Sequence, residues 1–186
     1  MLAHMQKRIL FFLIFMGVSA VSFLIGSEIR PDAKDAADYV EKFNKLVDGL
    51  KDGNFALGIF FHNVKIALPM FLPGLGVGWG IFAAFSTGLA IAAFFVNEPT
   101  LAQIPPFTVL ITPFGAMEIV AYSIGMSRSF LLIIKIMKKT LTKQDVKFTI
   151  IEIGMAAGLL LAAAFVEAFM IESAGMQPKI KFERIQ

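Results

Sequence analysis

The chain has 186 residues, of which 57% are hydrophobic and only 17% charged, and its mean hydropathy is +0.74. A soluble domain carries about half apolar and a quarter charged residues, so this composition excludes a water-soluble fold and describes one integral membrane domain. A net charge of +3 does not point to nucleic acid, and with no cysteine the chain has no disulfide, thiol nucleophile or thiolate metal site.

Met1 to His4 are set aside as vector-derived, because His4-Met5 is what a common cloning site encodes. Residues 9–25 form an apolar run behind Lys7 and Arg8. Val18-Ser19-Ala20 would be a poor signal-cleavage site, and the run outlasts a signal core of about 7–15 residues, so it predicts an uncleaved first span. Residues 32–52 differ in kind. Ala36, Val40, Phe43, Val47 and Leu50 recur at steps of four and three, the period of a helix with one apolar stripe. Asp32 suits its cap, Asp35 its first turn and Gly53 its end. Such a helix lies on the membrane surface or against the bundle; its narrow, heptad-like stripe also fits a coiled-coil docking face.

Residues 54–72 predict a second span, which carries His62, Asn63 and Lys65. Gly74, Gly76, Gly78 and Gly80 follow Pro73 in a tight turn. Gly-x-Gly cradles phosphate only between a strand and a helix, so here it reads as close backbone packing between the second span and a third, 75–96. Residues 101–112 predict a half-helix that breaks at Pro113-Phe114-Gly115 and leads into a fourth span, 116–137. Thr142 and Asp145 form a loose capping box for a fifth span, 143–173. Gly154 and Gly158 allow close helix contact, within the bundle or between protomers. The expected fold is all-α: five transmembrane helices, a broken half-helix and one amphipathic surface helix. The basic residues Lys7, Arg8 and five lysines from Lys135 to Lys147 put the N-terminus in the cytoplasm, with the chain in the plasma membrane.

Between Gly53 and Arg128 the only charged residues are Lys65, Glu98 and Glu118. Glu98 has a loop to sit in, beside Pro99. Glu118 is surrounded by apolar sequence, where a carboxylate is costly and faces a protein interior. His62, Asn63, Lys65, Glu118 and Glu167 are expected to converge on one interior cavity, with Glu152 nearer the inner end and apart from them. Three readings compete. Lys65 could pair with Glu118 or Glu167 as a structural brace, with no catalysis. The cluster could hold an ion or small ligand, as midplane carboxylates do in a transporter or channel component. Or His62, Glu118 and Glu167 could ligate a metal, although no His-Glu-x-x-His pair exists. No motif supports a serine hydrolase.

Pro113-Phe114-Gly115-Ala116-Met117-Glu118 resembles the Pro-His-Gly-x-x-Glu motif of the stage II sporulation protein M (SpoIIM) family. Phe61-His62-Asn63 is similar to that family's Asn-containing second span, and Ala164 to Phe169, around Glu167, to its terminal glutamate motif. The resemblance covers about 54–172. It implies a multi-span, non-enzymatic scaffold or assembly protein without a cofactor, linked to envelope remodelling. The implied partners are the lipid bilayer, further copies of the chain and other envelope proteins. Phe114 stands where the motif has histidine, so a metal or proton role resting on that histidine would have to pass to His62.

Overall fold

Backbone polar groups in hydrocarbon must be satisfied within the segment, so apolar runs of this length fold as helices. The computed structural model describes residues 2–51, 54–98, 100 and 103–173. Its helices are α1 (Leu2–Glu28), α2 (Ala33–Lys51), α3 (Phe55–Ala67), α4 (Gly76–Asn97), α5 (Thr108–Ile111), α6 (Pro113–Met137) and α7 (Lys143–Ser173). Among the described residues four helices are long and apolar enough to cross a membrane: α1, α4, α6 and α7. The expected second span, 54–72, is shorter: α3 has 13 residues and a 3-10 turn of four, Leu68–Phe71, ends it. Pro69, which lacks an N–H, falls in that turn and closes the α-helix there.

The bundle is built from three extensive contacts, α1 with α4, α6 with α7 and α3 with α7, and α1 also packs on α6. Residues on the outside, such as Ile9, Leu13, Ile150 and Phe165, are apolar and exposed, as a lipid-facing surface requires. Inside, Phe71, Ile124 and Leu160 pack as one cluster and Phe15, Met70 and Met126 as another.

The amphipathic helix α2 lies on α4. Asp32 Oδ1 accepts from the Asp35 amide at 2.8 Å, which caps its start. Ala36 and Val40 are buried, and the Phe43 and Phe94 rings meet edge-on with centroids 5.0 Å apart. The narrow stripe is therefore used against the protein's own bundle rather than as a coiled-coil face. On the outer side Glu41 and Lys45 pair at 2.6 Å, and the hydrogen bond from Lys45 holds the Glu41 carboxyl below its ordinary range. Asp52 and Gly53, the expected end of this helix, lie outside the described residues, as do 101–102.

Two other expectations change. The half-helix at 101–112 is a single turn, Thr108–Ile111. The supposed break at Pro113-Phe114-Gly115 is the first turn of α6: Thr112 is its N-cap, its Oγ1 accepts from the Gly115 amide at 3.1 Å, and Pro113 occupies the N1 position. The capping reading at the start of α7 holds, since Asp145 Oδ2 accepts from the Thr142 amide at 2.9 Å and from its hydroxyl at 2.7 Å. Lys135, at the end of α6, closes on the same carboxylate.

Glycine does bring helices together within the bundle, though not at Gly154 and Gly158. A Cβ on Gly26 would lie 2.1 Å from the Phe85 carbonyl oxygen, and one on Gly88 2.0 Å from that of Phe23. These two residues set the α1–α4 crossing. At the start of α4, Gly76 and Gly80 play the same part against Met70 and Met126, and in the turn before it Gly74 takes a φ of +85°. Around Gly154 and Gly158, by contrast, there is open space, and both face away from the bundle. Gly88→Val should therefore lower the thermal stability of the detergent-solubilised protein by about 1–3 kcal/mol. Gly158→Val should stay within about 0.5 kcal/mol of wild type in the same melt.

Candidate functional site: two polar layers in the bundle

The first layer forms at the start of α6. The α5 turn folds back over the α6 N-terminus so closely that a Cβ on Gly115 would sit 2.1 Å from the Val109 carbonyl oxygen. Only glycine fits, and Glu118 follows one turn later. Its Oε1 accepts from Asn63 Nδ2 of α3 at 2.5 Å. Glu167 arrives from the far end of α7, close enough for the two carboxylates to repel one another when both are ionised. Tyr122, one turn along α6 from Glu118, lies within electrostatic reach of both. These groups and His62 border a cavity of about 650 Å³ whose walls are otherwise mainly apolar, with Phe23, Trp79 and Phe82 among them.

The cavity gathers four of the five residues expected to converge: His62, Asn63, Glu118 and Glu167. Lys65 is not among them. It is exposed and borders a separate groove of about 350 Å³ with Asn54 and Phe61, and only His62 of the cluster touches both spaces. The reason is helical geometry. Asn63 faces Glu118, and Lys65, two residues on, is turned about 200° around the helix axis. The expected Lys65–Glu118 pair is therefore not made, nor is one with Glu167. Among the described residues neither carboxylate has a cationic partner. Nor are three His, Asp or Glu side chains grouped closely enough there to hold a metal ion, so the His62, Glu118, Glu167 ligand set is not assembled.

The second layer lies about 15 Å further along α6, ten residues after Glu118. Arg128 is buried there, and its Nε donates to Glu152 Oε2 of α7 at 2.7 Å while its second nitrogen reaches Oε1. Arg8 of α1 closes on the same carboxylate, Nε to Oε1 at 2.8 Å and Nη2 to Oε2 at 2.7 Å. Arg8 also donates to the Ile124 carbonyl at 3.1 Å and to the Ser127 hydroxyl. One carboxylate thus receives two planar forks, the strongest geometry available to an ion pair. Glu152 does stand apart from the cavity, as its position suggested. Arg128 was not singled out from sequence, although a guanidinium between Ser127 and Ser129 in an otherwise apolar helix carries the same signal as Glu118.

This arrangement separates a clamp from a cavity, and mutations should separate them too. Glu152→Leu leaves the buried Arg128 and the half-buried Arg8 without their carboxylate and should cost on the order of 3–5 kcal/mol. A double-mutant cycle of Lys65→Met with Glu118→Leu should show coupling below about 0.5 kcal/mol, as for independent sites. Thermal melts in detergent read both quantities, and coupling well above that level would restore the Lys65–Glu118 pair.

A family model described as Stage II sporulation protein M matches residues 9–170, wider than the 54–172 resemblance because it takes in the first span and α2. No curated protein and no solved structure matches the chain. The matched segment holds Asn63, Glu118 and Glu167 of the first layer and Arg128 and Glu152 of the second, and begins one residue after Arg8; the chain belongs to the Stage II sporulation protein M family.

Proposed function

We propose that this protein is a non-enzymatic membrane scaffold or assembly subunit of the SpoIIM type. It sits in the plasma membrane with its N-terminus in the cytoplasm and associates with further copies or other envelope proteins. The observation that carries this reading is the Arg8–Glu152–Arg128 clamp. Its three charges are all engaged in holding α1, α6 and α7 together, and none is free for chemistry. The basic Lys135–Lys147 turn lies at the same end of the bundle as Arg8, which supports the orientation. The exposed face of α7 around Gly154 and Gly158 is open to a partner helix. Single cysteines placed at Gly154 or Gly158 should crosslink a second copy or a partner in native membranes. A strictly monomeric, uncrosslinked protein at both positions would sink the assembly reading.

A second reading, a transporter or channel component, is favoured by one observation: two carboxylates share an apolar cavity without a cation between them. In that reading Glu118 and Glu167 bind a cation or small ligand at the Asn63 end of the cavity.

A further inference from the structure

We propose that this cavity binds an ammonium group carried on an apolar body, with the charge held between Glu118 and Glu167. The proposal rests on the second reading above and names its ligand class. Four features of the cavity lead to it. First, among the described residues the cavity wall has two carboxylates and no lysine or arginine, so its polar end suits positive charge. Second, the rest of the wall suits an apolar body rather than a hydrated metal ion. Phe23, Phe82 and Trp79 line the cavity, and the face of an aromatic ring attracts alkylated ammonium. A hard metal ion, by contrast, requires a cage of several oxygens.

Third, Ser19 of α1 borders the same cavity, is 4% exposed, and its hydroxyl is the one buried side-chain polar atom among the described residues without a hydrogen-bond partner. Other serines in the spans return their hydroxyl to a carbonyl of their own helix: Ser22 to Val18, Ser27 to Leu24 and Ser123 to Ile119. Ser19 does not, and a buried hydroxyl left unpaired requires a partner. A ligand with a polar group beside its charge provides one. Fourth, about 650 Å³ falls within the range of small-molecule sites, about 300–1,000 Å³, and is far larger than one ion requires.

The ammonium could belong to an aminolipid of the bilayer or to a free organic cation, and one titration distinguishes them. Trp79 is the chain's only tryptophan and lies in the cavity wall, so its emission reports occupancy directly. The protein in nanodiscs of phosphatidylglycerol is titrated with dodecyltrimethylammonium and, in parallel, with dodecanol, which has the same chain without the charge. A saturable change with the ammonium alone is expected, weakened about tenfold by Glu118→Gln and similarly by Glu167→Gln. If discs containing phosphatidylethanolamine weaken the response, the aminolipid competes and is the source. An unchanged response assigns the site to free cations, and both outcomes support the ammonium class. Dodecanol matching the ammonium, with the glutamine variants titrating as wild type, overturns the ligand class and leaves a cavity for neutral amphiphiles. No saturable change with either probe defeats the binding reading itself. Should a glutamine variant fail to fold, the ammonium–dodecanol pair on the wild-type protein still decides.

Discussion

A carboxylate or guanidinium within a membrane-spanning bundle is tolerated only when another group answers it, and the Glu152 clamp is where that constraint shapes this protein. Two arginines from different helices converge on one carboxylate. Each fork fixes the rotation of its helix about its own axis as well as its distance from α7. With α1, α6 and α7 fixed in this way, the remaining helices have little choice. α4 docks on α1 through Gly26 and Gly88, α3 fills the gap beside α7, and α2 covers α4 from the side.

The two polar layers respond to burial in opposite ways. At the Glu152 level both carboxylate oxygens are met by both arginines, and Phe130 packs against buried Met126. At the Glu118 level the bundle opens into a cavity lined by two carboxylates, of which Glu118 accepts one hydrogen bond, from the Asn63 amide. A protein that needed only stability would close that space with leucines, as buried polar groups give stability no advantage over well-packed apolar ones. Rigidity at one level and an open, acidic space at the other is an arrangement suited to holding something.

Most helices could be read from hydropathy alone, and α7 begins at Lys143, where the capping signal of Thr142 and Asp145 placed its start. Depth and facing were harder to read. Pro113 and Gly115 suggested a break in mid-membrane because proline and glycine mark both kinks and helix starts; the cap from Thr112 decides for a start. Spacing placed His62 and Lys65 on one face, but it could not show that the face meeting Glu118 belongs to Asn63. Arg128 could have been found by the same rule that singled out Glu118. The clamp it joins was out of reach of sequence reasoning, since Arg8 and Glu152, its other two members, are 144 positions apart.

That separation bears on how the protein is made. Arg8 leaves the ribosome with the first helix, and its carboxylate arrives only with the last. Until then the guanidinium sits near the start of α1, where a long flexible stem lets it reach the headgroup region and wait at low cost. Arg128 enters later, deeper in its helix and with less room to do so. α7, which supplies Glu152, therefore completes the charge balance of both and commits the helices made before it to their places.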